Sequence, residues 1–162
     1  MPALRDVDGG AGSTCALVLD QLPTWFGISE ANEAYVAAAD THPSVIASVD
    51  GADVGITTVM HHSPYAAEVH LMAVVPAHHR HGIGTAMLRH LEGRLADAGV
   101  EFLQVKTLSA AHPDAGYAAT RAFYLASGFR PLEEFPTLWD ESNPALQLIK
   151  TVRSRRARPG VR

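Results

Sequence analysis

The sequence predicts one domain of the α/β (α+β) class, built on a mixed, mostly antiparallel central sheet. Three observations point there. The strand-like runs "PSVIASV", "DVGITTVMHH" and "AEVHLMAVV" follow one another with no helical period between them, which excludes a purely doubly wound parallel sheet. After Pro76 the apolar spacing changes to that of a helix, and helical runs then alternate with strands. With 162 residues and 47% hydrophobic side chains, the chain can bury one full core but not two.

Each element follows from its local chemistry. Residues 1–13 are glycine-rich and are expected to be a flexible N-terminal segment. The domain is expected over residues 14–152, with a basic, disordered tail over 153–162. "CALVLDQL" reads as a short helix stopped by Pro23, and "SEANEAYVAAAD" as a second, with Ser29 as N-cap. Asp50-Gly51 between two strand runs is a hairpin signal. Ile83, Met87, Leu88, Leu91 and Leu95 recur at helical spacing, and Gly99 stands where a C-terminal cap belongs. "EFLQVKTL" reads as a strand and "AGYAATRAFYLAS" as a helix ended by Gly128. "FRPLEEF" and "ALQLIKTV" read as closing strands.

Charge narrows the partners. Five of the 13 lysines and arginines lie between Thr151 and Arg162, leaving 8 cationic side chains against 17 acidic ones in residues 1–150, a formal −9. Such a body repels nucleic acid and attracts cations, and no aromatic residue interleaves with the arginines of the tail. Cys15 has no partner cysteine and no signal pattern opens the chain, so a cytoplasmic setting is expected. No apolar run approaches the roughly 18 to 20 residues that span a bilayer, and no membrane partner is expected.

The stretch "AVVPAHHRHGIGTAML" concentrates the chemistry. Gly82 and Gly84 lie between a strand and a helix, where main-chain N–H groups converge unpaired and attract an anion, most often phosphate. A P-loop requires Gly-Lys-Ser or Gly-Lys-Thr, whereas Gly84 precedes Thr85 and Ala86; a dinucleotide fingerprint requires a small residue where Met87 stands. Zinc draws on side chains converging from rigid elements, and His78, His79 and His81 are neighbours in one turn, so no metal is expected.

"VVPAHHRHGIGTAML" resembles the acyl-coenzyme A signature of the GNAT superfamily of N-acetyltransferases: V-x-P, then (Q/R)-x-x-G-x-(G/A), then a helix. "RAFYLASGF", about forty residues on, resembles that family's A-x-x-x-Y-x-x-x-G-F element. The resemblance spans roughly residues 43–150. It implies the GNAT fold, a sheet of about six or seven strands with helices on both faces. Its reaction is direct attack of an amine on the thioester of acetyl-coenzyme A, without a metal. The implied cofactor contacts are Met72, Ala73 and Val74 on the strand, then His79, Arg80, His81, Gly82, Ile83, Gly84 and Thr85, and Tyr117 on the later helix. The chain departs from the pattern at His79, where Gln or Arg is usual, and at Tyr117 and Thr120.

The chemistry sets further requirements. An alkylamine of pKa near 10.4 is neutral only about once in 2,500 molecules at pH 7, a deficit of about 4.6 kcal/mol, so a proton acceptor is needed. Regular alternation along "EVHLMAV" places Glu68, His70, Met72 and Val74 on one face. Glu68, six residues before Val74, resembles the catalytic carboxylate of histone-acetylating members; it is the first candidate base and His70 the second. The resemblance gives Tyr124 the role of protonating the departing sulfur, and a strand N–H at Val74 or beside it that of binding the oxyanion. Trp25, Phe26, Glu30 and Glu33 lie where the family caps its acceptor cleft. The expected acceptor is a small-molecule amine rather than a protein lysine, with a homodimer as the candidate assembly. A coenzyme A-binding sensor without turnover and a protein-lysine acetyltransferase are the alternatives.

Overall fold

The computed structural model describes residues 1–22 and 29–152. The order is β1 (Ala3–Val7), α1 (Gly12–Asp20), α2 (Ser29–Thr41), β2 (Ser44–Val49), β3 (Ala52–His61) and β4 (Ala66–Val74). A 3-10 turn at Pro76–His78 leads to α3 (Ile83–Asp97), β5 (Phe102–Leu108), α4 (Ala115–Ala126), β6 (Arg130–Asp140) and β7 (Asn143–Thr151). These strands form one sheet in the order β1-β2-β3-β4-β5-β7-β6. β4 and β5 are parallel and every other pair is antiparallel.

The expected signals explain most of this. Asp50 and Gly51 both take positive φ, 50° and 82°, the pair of conformations that matches the twist of a two-residue hairpin. The five periodic positions of α3 are all buried, and each contributes about 1.5 to 3 kcal/mol by leaving water. α3 ends as expected: the Gly99 N–H donates to Ala96 O and the Val100 N–H to Leu95 O, closing the last carbonyls. α4 is opened by Asp114, whose carboxylate accepts from the Tyr117 N–H at 3.1 Å.

The N-terminal segment corrects the expectation of a flexible start. Ala3–Val7 pairs along its whole length with Ser44–Ser48, and Leu4 and Val7 pack on the core. Arg5 holds it in place, donating to both Asp53 oxygens at 2.7 and 2.8 Å. The Arg5 hydrogen bonds, joined by Ser48 and Thr14, hold the Asp53 carboxyl at about 2. A carboxyl lowered on folding stabilises the fold above its ordinary range and loses that contribution as pH falls toward 2. Solvent screening holds this exposed pair to about 1 kcal/mol. Asp53→Asn is therefore expected to lower the thermal midpoint by roughly 3 °C at pH 7, with the difference from the parent vanishing near pH 2 in the same melting experiment.

Two features of β4 position everything that follows. Its pairing with β5 stops at Val69↔Val105, so the two strands part and the sheet opens between them. The β3–β4 register also shifts: Thr58 pairs with Leu71 but Val59 with Val69, leaving His70 as an extra, bulged residue. The bulge resets the alternation. Glu68 shares a face with Leu71 and Ala73, while Met72 and Val74 lie on the other, which corrects the expectation of one common face. Met72 and Val74 face the side of α3, where Met87 touches Gly55 and Gly84 lies near Met72. Among the described residues no helix is long and apolar enough to cross a membrane.

Candidate active site

The parting of β4 from β5 opens a cavity of about 590 Å³. Val69, His70 and Met72 line it from β4, and Val105, Lys106 and Thr107 from β5. Tyr117, Thr120 and Tyr124 reach it from α4, and Ala31, Asn32 and Tyr35 from α2. Two further walls were not marked as site residues in the sequence: Lys106, and the tip of the β6–β7 hairpin with Leu138, Trp139, Asp140 and Asn143. Lys106 left a faint signal, the one charged side chain within β5.

At the mouth of the opening, the chain turns into α3 through two left-handed residues, Arg80 at φ 61° and Gly82 at φ 77°. Gly82 meets nothing within 4 Å of an added Cβ, so its φ rather than space calls for glycine there. The first helical hydrogen bond runs from the Ala86 N–H to Gly82 O. The N–H groups of Arg80, His81, Gly82, Ile83, Gly84 and Thr85 have no acceptor among the described residues. They form a positive concavity at the helix start, the arrangement that binds phosphate.

His79 behaves differently from the phosphate donor expected of it. Its main-chain N–H donates to Pro76 O, and its Nε2–H donates to Val74 O at 2.5 Å. Beyond the split, no strand among the described residues pairs with β4 on that side, and the imidazole satisfies a carbonyl that β5 no longer reaches. Because a strand residue points its N–H and C=O the same way, the Val74 N–H also faces the opening, whereas the Val75 N–H donates to Val54 O on β3. Ala73, expected among the cofactor contacts, is buried on the other face with its peptide turned toward β3. His78 and His81 lie with ring centroids 6.4 Å apart. Among the described residues no group of three or more histidine, cysteine or acidic side chains is placed to hold a metal ion.

The candidate acid and bases now separate. Tyr124 is buried, packed edge-on between Phe123 and Phe129 with centroids at 5.2 and 5.4 Å. Burial, with a smaller contribution from Tyr35, pushes its phenol well above the ordinary range. Glu68 is also buried, but its carboxylate accepts from Lys106 Nζ at 2.7 and 3.2 Å and lies 3.4 Å from His62 Nε2. His70 lines the cavity half-buried, edge-on to Tyr35 at 5.3 Å. Burial lowers its pKa most; Glu68 raises it, and His42, Lys106 and His62 lower it further. Cys15 lies outside the cavity, and burial and Asp40 push its thiol up to about 11, so it stays protonated and unreactive.

Glu30 and Glu33, expected to hold an ammonium, are exposed and do not line the cavity. The phase of α2 is the reason: Ala31, Asn32 and Tyr35, spaced three and four apart, face the opening and the two glutamates flank them. Trp25 and Phe26 lie outside the described residues, as does the basic tail from residue 153.

Comparison with known proteins agrees with this geometry. The family model described as "Acetyltransferase (GNAT) domain" matches residues 33–131. Among solved structures, the ribosomal-protein-S18-alanine N-acetyltransferase from Escherichia coli superposes with a TM-score of 0.76 at 17% identity, covering 100% of this chain and 99% of that one. An aminoglycoside 6'-N-acetyltransferase from Enterococcus faecium gives 0.72 at 18%, covering 96% and 99%. A GNAT family acetyltransferase from Elizabethkingia anophelis, solved with acetyl-CoA bound, gives 0.70 at 14%, covering 93% and 97%. At these identities the likeness is one of fold. No curated protein sequence matches the chain.

Proposed function

The chain belongs to the GNAT family of acyl-coenzyme A-dependent N-acetyltransferases, and from that premise we propose that it transfers an acetyl group from acetyl-coenzyme A to the primary amine of a small molecule. The observation that carries the proposal is the cavity in the parted sheet, lined by Met72, the buried Tyr124 and His79, the residue from which the chain runs directly into the helix start with its unpaired N–H groups. The diphosphate of the carrier fits the N–H groups of residues 80–85, and its thioester arm fits the split beside Met72 and Val74. The Val74 N–H is aimed into that split and suits the oxyanion of a tetrahedral intermediate.

We assign the base to His70 rather than Glu68. Glu68 is held by Lys106 and does not line the cavity, while His70 lines it and is kept neutral by burial. The imidazole takes a proton from the attacking nitrogen, the N–C bond forms, the C–S bond breaks, and the Tyr124 hydroxyl supplies a proton to the sulfur. A cavity of about 590 Å³ has the size of a small-molecule site, which favours a free amine over a protein lysine.

The test is thiol release from acetyl-coenzyme A across alkylamines, aminoglycosides and lysine peptides. We expect release that saturates with a small amine and exceeds that with peptides. Tight binding of acetyl-coenzyme A with no amine-dependent release would overturn the enzymatic reading in favour of a sensor.

A further inference from the structure

The outer end of the cavity carries chemistry that acetyl transfer alone does not require. Where β6 turns into β7, Trp139, Asp140 and Asn143 form its wall, and Asp140 is the one carboxylate lining the cavity among the described residues. Its two oxygens accept from Asn143 Nδ2 at 3.0 and 2.9 Å, and Oδ1 also accepts from the Ser142 N–H at 2.8 Å. These bonds, the Asn143 amide foremost, lower its pKa. The result is a fixed anion at the rim. Lys106, a cation lining the same cavity, is already neutralised by Glu68, so the rim charge is left to act on the ligand.

Register fixes where the anion stands. Val105 is the last β5 residue with β4 beside it and pairs with Leu148, whereas Asn143 lies five residues earlier on β7. The hairpin tip is therefore roughly 16 Å along the sheet from the point of parting. Ala145 pairs with Leu108, which shares a face with Lys106. By alternation Asn143 and its partner Asp140 fall on that face too, the one covered by α2 and opposite α3. Asp140 thus belongs to the side from which an acceptor approaches, away from the helix start that suits the carrier's phosphates.

We propose that the acceptor is an amine bearing a second cationic group, with one nitrogen acetylated in the split and the other held by Asp140 at the rim. This rests on the acetyltransferase reading and narrows its substrate class. The two nitrogens are separated by no more than the roughly 16 Å between the parting and the hairpin tip, and by less the nearer the thioester stands to Val74. The carbon chain between them lies along Leu138 and Trp139, whose side chains are otherwise half exposed. The indole face also attracts a cation, and the acidic body draws a dication more strongly than a monocation.

Matched probes test this: 1,8-diaminooctane carries the second charge within that reach, and 1-aminooctane lacks it. Calorimetric binding and thiol release are measured for each. We expect the long diamine to be preferred over the monoamine by roughly threefold to tenfold, a range set by solvent exposure of the carboxylate. Added salt and Asp140→Asn should erase the preference, and Asp140→Glu should retain it. Spermidine and an aminoglycoside as further arms tell a linear from a cyclic carrier of the second charge. Equal binding of the two octyl amines, or a ratio unmoved by Asp140→Asn, overturns the inference. No thiol release with any amine, while the binding ratio persists, overturns the acetyltransferase reading alone.

Discussion

Replacing Tyr124 by phenylalanine is expected to lower kcat by about 10²-fold, at the lower end of what a general acid contributes, while the affinity for acetyl-coenzyme A changes by less than about threefold. The physical basis is the location of the hydroxyl. The ring is wedged between Phe123 and Phe129, contacts that phenylalanine preserves, so the variant loses one oxygen and no packing. Burial holds the phenol protonated through the whole working range. That makes it a weak acid in the ground state, but the same burial also raises the proton affinity of a thiolate forming beside it. The hydroxyl therefore donates a hydrogen bond as the C–S bond lengthens and gives up its proton only when sulfur has become the stronger base. Rate is the diagnostic quantity, because with the phenol protonated throughout neither parent nor variant should show an alkaline fall in kcat between pH 7 and 10 from ionisation at this position. Unchanged kcat, or a loss confined to acetyl-coenzyme A binding, would reduce Tyr124 to a packing residue.

Local signals proved legible where the structure is made locally. The hairpin at Asp50-Gly51, the buried stripe of α3 and the Gly99 and Gly128 helix ends all follow from chemistry within a few residues. β1 escaped because its pairing is non-local: Ala3 meets Ser48, and a segment flanked by Gly9, Gly10 and Gly12 gives no sign of the partner forty-five residues away. The face of Glu68 escaped for a different reason. Alternation assumes a regular pleat, and the one extra residue at His70 exchanges the faces of everything before it. Without the bulge, Glu68 would stand with Met72 and Val74; with it, the carboxylate stands with Lys106. Asp140 was invisible because its role depends on β5 and β7 pairing in one register, which brings a hairpin tip to a cavity made by other strands.

That exchange of faces governs the second large effect. His70→Gln is expected to lower kcat by about 10²-fold or more and to abolish the acid limb of the pH profile. The sign follows from the direction of the shift. Burial lowers the His70 pKa beneath its ordinary 6.5, so the neutral, proton-accepting form already dominates at neutrality. In the parent, kcat should be level near pH 7 and fall only below about 6.5 as imidazolium forms. Glutamine keeps a polar group of similar reach but accepts no proton near neutrality, so the variant should be slow and flat across the same range. Glu68→Gln provides the contrast. It strips Lys106 of its counter-charge at 2.7 Å, leaving an uncompensated ammonium beside His70, so a fall in rate should come with a fall in thermal stability and a further downward shift of the acid limb. If instead the glutamine at position 70 turns over within about threefold of the parent and the limb survives, the proton goes to another group. Glu68, acting through water past Lys106, would then be the base that the strand pattern first suggested.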